Sequence, residues 1–239
     1  MPNPQTFANL KAFLEDRLPE GFRRHTLLDF GAGRDGYVKL YAPSFERSYA
    51  LDLYDYTAEY EGLPIEFIVS DGHRIPLPQG TVDLVVAHSV LEHVADVGQV
   101  VREMDRVLRV GGVAYLTISP LFFSYCGGHI NVPHKLENWE HLDPESEHFI
   151  GDEHTAESRG GHYLNRITHS KLLAEVGKQP WSILGHMVRA HYQKRIPRFL
   201  RKTSMPRVDL YTRETRIVAQ KTYGVHDDSI YFTPRPPKA

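Results

Sequence analysis

Five short apolar runs in the first half of the chain constrain its fold more than any other feature. They are Thr26–Phe30, Ser48–Leu53, Ile65–Ser70, Val82–His88 and Val113–Ile118. Each has the length of a strand, and several are apolar on consecutive residues rather than alternate ones. That pattern suits parallel strands covered on both faces. Between the last two runs, Val100, Val101, Met104, Val107 and Leu108 recur at helical spacing, and Gly111-Gly112 reads as the stop. Strands alternating with helical or turn segments imply right-handed crossovers and an open, doubly wound, mostly parallel α/β sheet. Upstream, Phe7, Leu10, Phe13, Leu14 and Leu18 mark an amphipathic helix over 5–18, closed by Pro19 and Gly21.

After Pro120 the texture changes. Residues 121–165 are rich in His, Gly and acids with little periodicity, and read as an insertion or lid after the fifth strand. Thr168 is the expected N-cap of a helix ended by Gly177, and Trp181–Ala190 and Arg213–Thr222 read as two late strands. At 239 residues this is one domain: an N-terminal helix (1–20), a central half (25–119), the insertion (120–166), and a closing helix and strand pair (167–239). A single cysteine, Cys126, excludes an internal disulfide and a cysteine-only zinc site. A net charge of −2 gives no global pull toward nucleic acid or membrane, and no apolar run is long enough to span one. The start of the chain lacks the pattern of a signal peptide, so a cytoplasmic setting is expected.

Leu27-Leu28-Asp29-Phe30-Gly31-Ala32-Gly33-Arg34-Asp35-Gly36 is a strand running into a glycine-rich turn. Glycine lets the backbone take positive φ and approach a ligand where a Cβ would collide. Asp52, at the end of the second run, stands where a carboxylate can accept both hydroxyls of a ribose. These two pieces point to a nucleoside-bearing cofactor without separating a dinucleotide from other kinds. The segments Asp71-Gly72-His73-Arg74-Ile75-Pro76-Leu77, Val82-Asp83-Leu84-Val85, Leu91-Glu92-His93 and Arg106-Val107-Leu108-Arg109-Val110-Gly111-Gly112 then follow in order.

Taken together, Leu27 to Ile118 resembles the class I S-adenosylmethionine-dependent methyltransferases, especially the group that includes quinone-biosynthesis C-methyltransferases. The resemblance implies a seven-stranded, Rossmann-like methyltransferase sheet and S-adenosyl-L-methionine as cofactor. It implies that Asp29, Gly31, Ala32 and Gly33 form the turn under the methionine part, and that Asp52 and Leu53 meet the ribose. Asp71 would bond the adenine amino group with Gly72 and His73 beside the ring, His88 and Ser89 would border the sulfonium region, and His93, also at the cofactor site, would help fix the helix start with Glu92. Asp35 departs from the pattern: it sits where the family has its third glycine, and Gly36 follows one residue late.

The expected activity is O-methylation of a small hydroxylated metabolite or sugar-containing acceptor. A hydroxyl must lose its proton, and neutral imidazole is a suitable base. His129, His134, His141, His148, His154, His162 and His169 crowd into 41 residues. Of these, His129, His134 and His162, each near Gly or Pro, are the candidate bases, with loop packing as the plainer role for the rest. A metal is not expected, because no spacing here matches a ligand motif. Gly161 to Thr168 resembles a stretch found in methyltransferases associated with cell-surface sugars. From Arg189 to Arg207 there are seven Lys/Arg and no acid, a field able to steer an anionic acceptor. The alternatives are a non-catalytic binding module on the methyltransferase fold and a nicotinamide-dependent oxidoreductase.

Overall fold

The computed structural model describes residues 4–128, 139–150 and 164–223. Its elements are α1 (Pro4–Glu15), β1 (Thr26–Phe30), α2 (Val38–Tyr41), β2 (Arg47–Asp52), β3 (Glu66–Val69), β4 (Val82–His88), α3 (Val97–Val107), β5 (Leu108–Ile118), α4 (His169–Gly177), β6 (Trp181–Ala190), α5 (Arg207–Tyr211) and β7 (Thr212–Lys221). They form a seven-stranded sheet in the order β3-β2-β1-β4-β5-β7-β6. The strands from β3 to β5 pair in parallel, and β7 and β6 close the edge as an antiparallel pair.

All seven residues of β4 are buried, as expected of a strand with helices over both faces. One layer packs α3 and α4 against the sheet through Val100, Val101, Met104, Leu172 and Val176. The other packs α1 and α2 through Leu10, Leu14, Val38 and Tyr41. Each fully buried aliphatic side chain contributes about 1.5–3 kcal/mol, so the two layers supply most of the driving force for folding. The edge is fastened by a buried cluster in which Lys221 Nζ donates to Asp105 O at 2.6 Å and Trp181 Nε1 to Asp105 Oδ1 at 2.8 Å.

Two sequence expectations change. The helix before β5 ends at Val107 rather than at Gly111-Gly112, because Leu108 is already extended (φ −65°, ψ 132°). The glycines lie inside β5, where the register against β4 slips between Val82 and Leu84 and Gly111 takes φ +80°. They make a bulge, a position that favours a residue free to adopt positive φ. The late helix behaves as expected: Thr168 Oγ1 caps it by accepting from Lys171 N–H at 3.0 Å.

β1 lies between β2 and β4, so the direction of strand addition reverses there. In open α/β sheets the crevice beyond the carboxyl ends at such a point is where ligands bind. The described parts of 120–166 bury Phe122, Ile150 and Leu164 in a small cluster with Phe123 and Leu142.

Candidate active site

The backbone leaving β1 turns sharply. Gly31 and Ala32 both donate to Leu51 O, at 2.7 and 3.0 Å. Gly31 has φ +73°, and a Cβ there would lie 2.1 Å from Val90 Cγ2. Gly33 has φ +59°, and a Cβ would meet nothing within 4 Å, so that face of the turn is open. Asp52 closes over it: Oδ2 accepts from Gly33 N–H at 2.8 Å and Oδ1 from Tyr54 N–H at 3.0 Å. Parallel pairing then brings the next loop alongside, because Ser70 N–H donates to Asp52 O at 2.8 Å. Asp71 follows directly, exposed, accepting from His73 N–H at 3.0 Å and facing His73 Nδ1 at 3.4 Å. Gly72, at φ +75°, lies over the Phe30 ring, 2.3 Å from where its Cβ would stand. Leu53 is 59% exposed beside Asp52. An open glycine face, a carboxylate beside it, an exposed leucine and a second carboxylate on the neighbouring strand end fit an adenosyl group.

The unusual spacing of the turn has a local cause. Tyr60 Oη donates to Gly33 O at 2.8 Å and accepts from Gly36 N–H at 3.1 Å, and a Cβ at Gly36 would fall 2.6 Å from that oxygen. Tyr60 thus clamps the turn from 27 residues away and requires glycine at 36. Sequence reasoning missed it, since a tyrosine in the loop after the second strand carries no signal of its own. Asp35 is exposed, with Lys39 Nζ at 3.9 Å.

Asp29 is buried, and its Oδ2 accepts from Val38 N–H at 2.7 Å, which ties the turn to α2. Burial pushes its pKa up to about 7 against the pull of that bond, with Asp52 adding repulsion. Its side chain therefore shapes the turn rather than lining the open cleft. His88 shares the parity of Leu84 and Val86 on β4, and packs among Tyr37, Tyr41 and Tyr115 with ring centroids 4.5, 6.1 and 5.0 Å away. Burial lowers its pKa to about 3, so the ring is neutral at neutral pH. Ser89 takes φ +51°, strain of about 1 kcal/mol or more for a side-chain-bearing residue. His93 ends the one-turn helix Leu91–His93.

That turn is held by Asn165, whose Nδ2 donates to Leu91 O at 2.6 Å and Val94 O at 2.8 Å, while its N–H donates to Glu92 O at 2.9 Å. Glu92 itself is 2% exposed, and burial pushes its pKa up to about 8. The folded protein therefore keeps a proton here that the unfolded chain releases near 4.5. The stabilising contribution of the neutral acid is complete below the unfolded pKa and is lost as pH rises through the folded one. Glu92→Gln, which mimics the neutral acid at every pH, is expected to melt close to wild type at pH 4.5–5. Its advantage should grow by about 1.4 kcal/mol per pH unit toward pH 8, several degrees in Tm. Melting curves for the two proteins that stay parallel from pH 5 to 8.5 would refute the neutral-acid assignment.

The candidate bases His129, His134 and His162 lie outside the described residues. Of the other crowded histidines, His141 is buried with Nε2 2.6 Å from Phe122 O, and His169 stacks on His186 at 5.1 Å. Both are packing residues. Among the described residues no group of three or more His, Cys, Asp and Glu is placed to hold a metal ion, and no helix is long and apolar enough to cross a membrane.

Comparison with known proteins agrees with this geometry. Residues 28–116 match the methyltransferase domain family. The chain is 31% identical over 114 residues to the biotin biosynthesis bifunctional protein BioHC of Cellvibrio japonicus, covering 46% of this chain and 23% of that one. It is 30% identical over 113 residues to the malonyl-[acyl-carrier protein] O-methyltransferase of Yersinia pestis, covering 44% and 42%. The chain thus spans less than half the length of these curated relatives. Among solved structures, geranyl diphosphate C-methyltransferase from Streptomyces coelicolor, in complex with Mg2+, geranyl diphosphate and S-adenosyl-L-homocysteine, superposes with a TM-score of 0.57 at 15% identity. That match covers 90% of this chain and 77% of the other. The turn at Gly31–Gly33, the acid after β2, the seven-stranded sheet and the matched segment agree: residues 28–116 are a methyltransferase domain, on the fold of the class I S-adenosylmethionine-dependent methyltransferases.

Proposed function

We propose that this protein transfers a methyl group from S-adenosylmethionine to oxygen on a small hydroxylated acceptor that carries an anionic or sugar group. The observation that carries the reading is the 2.8 Å bond from Gly33 N–H to Asp52 Oδ2, which gathers the open glycine face and the ribose-binding carboxylate into one cradle. When bound, the cofactor supplies a sulfonium methyl electrophilic enough to need no further activation. The protein's task is to align the partners, and alignment can be worth about 7–11 kcal/mol.

In this reading Gly31, Ala32 and Gly33 back the methionine part, Asp52 and Leu53 take the ribose, and Asp71, Gly72 and His73 flank the adenine. Ser89 and His93 border the methyl, and His88 supports that wall from within. The acceptor proton would pass to an imidazole of the insertion, with His129, His134 and His162 as candidates. The named O-methyltransferase relative from Yersinia pestis supports oxygen as the acceptor atom.

Calorimetric titration of the whole chain with S-adenosylhomocysteine and, separately, with a nicotinamide dinucleotide tests the reading. Saturable binding of the first and none of the second is expected. Binding of the dinucleotide alone would replace the reading with an oxidoreductase, and binding of neither would leave a non-catalytic module.

A further inference from the structure

The connection between β6 and β7 crosses the same rim of the sheet as the cofactor cradle. Ile118, at the carboxyl end of β5, pairs with Thr215, and Ala190 pairs with Thr212. Residues 191–211 therefore lie beyond the carboxyl ends of the parallel strands. They fold around a cavity of roughly 440 Å³ lined by the charged Arg195, Arg201 and Arg207 together with the apolar Ile196, Leu200 and Leu210.

Among the described residues, no acid neutralises the charge in this cavity. Among the described residues, none of the three guanidiniums, nor the neighbouring Arg198 and Lys202, forms an ion pair. The Arg201 guanidinium donates through Nε to Ile196 O at 3.4 Å. The acid of the stretch, Asp209, is buried and turned away to accept from Ser170 N–H at 2.9 Å. The apolar floor is anchored, since Trp139 Nε1 donates to Leu210 O at 3.2 Å.

Guanidinium forks match phosphate oxygens in pairs, and they tolerate partial removal from water better than ammonium does. A concave site with an apolar wall selects an amphiphilic ester over the flat backbone of a nucleic acid. Strands are spaced about 4.8 Å apart, so a group over β7 and β6 sits about 10–15 Å along the rim from the end of β4. We infer that this cavity binds the phosphate of the acceptor, a phosphate or diphosphate ester with an apolar segment whose methylated atom lies that far away. The inference rests on the methyltransferase reading for the word acceptor, but the phosphate site stands on its own residues.

The test is calorimetry on the full chain with n-hexyl phosphate and inorganic phosphate, using wild type and the doubly substituted Arg201→Gln/Arg207→Gln protein. Both positions are exposed, so folding is spared. Wild type is expected to bind hexyl phosphate at least about tenfold more tightly than inorganic phosphate, and the variant to lose at least about tenfold, with S-adenosylhomocysteine affinity unchanged in both. Equal affinity of the variant for hexyl phosphate would overturn the site. So would a wild type that takes inorganic phosphate as tightly as the ester, or one that binds only a single-stranded oligonucleotide. Arginine-dependent hexyl phosphate binding in a protein that ignores S-adenosylhomocysteine would keep the phosphate site and remove the methyltransferase activity from it.

Discussion

Gly31→Ala is expected to abolish cofactor binding and to destabilise the whole domain, whereas Gly33→Ala, two residues on, abolishes binding while leaving the domain nearly as stable. Both glycines have positive φ, +73° and +59°, so either alanine carries about 1–2 kcal/mol of backbone strain. They differ in what the new methyl meets. At 31 it would lie 2.1 Å from Val90 Cγ2 and 2.6 Å from Val90 Cβ, a side chain packed on the larger core cluster. Neither the turn nor Val90 can yield freely, because Gly31 N–H is fixed to Leu51 O at 2.7 Å. Overpacking of that kind adds about 1–3 kcal/mol. At 33 the methyl points into open space, the space the cradle offers its ligand. Thermal melts and S-adenosylhomocysteine titrations of both variants separate the cases: Gly31→Ala should lose roughly 5–15 °C in Tm, and Gly33→Ala no more than a few degrees. A Gly33→Ala protein that binds the cofactor product normally would mean the open face is not the cradle.

What could be read in advance follows from how local each signal is. β4 at Val82–His88 is legible because a strand covered on both faces writes its burial into consecutive residues, and turn residues punctuate its ends; β6 at Trp181–Ala190 is an edge strand with no fully buried residue, and its bounds are marked instead by the Gly177 and Pro180 that precede it. The glycine turn, Asp52 and Asp71 are visible because each lies at or within two residues of a strand end, and the parallel register carries strand ends to one edge. The Gly111-Gly112 pair was misread because a helix stop and a strand bulge demand the same residue. Only the slip between Val82 and Leu84 across β4 distinguishes them, and that is tertiary.

The clamp by Tyr60, the burial of His88 among three tyrosines and the hold of Asn165 on the Leu91–His93 turn all join residues far apart in the chain. No periodicity or motif spacing encodes such contacts. The basic stretch lies between the two cases. Its charge was plain, but the gathering of Arg195, Arg201 and Arg207 into one cavity depends on where the antiparallel pair β6–β7 reverses.

Asp52→Ala is expected to weaken S-adenosylhomocysteine binding about 10²–10³-fold, the loss of two hydrogen bonds to a charged group at about 1.5–3 kcal/mol each, less the cost of desolvating the carboxylate. Folding should barely notice. The two backbone donors that Asp52 satisfies, Gly33 N–H at 2.8 Å and Tyr54 N–H at 3.0 Å, sit at the open rim where water can replace it. Asp52→Asn separates charge from shape. Its carboxamide keeps one acceptor oxygen, which can hold Gly33 N–H and preserve the turn, but it presents an NH₂ where a ribose hydroxyl would donate. An intermediate loss of about 10-fold or more, with wild-type Tm, is therefore expected for Asn. If alanine and asparagine bind as tightly as wild type, the carboxylate serves only to brace the turn. If both lose affinity in step with a fallen Tm, the effect is collapse of the Gly31–Gly33 backbone. Only loss of affinity at constant stability places Asp52 on the ligand, and the carboxylate beside the open face of Gly33 predicts that outcome.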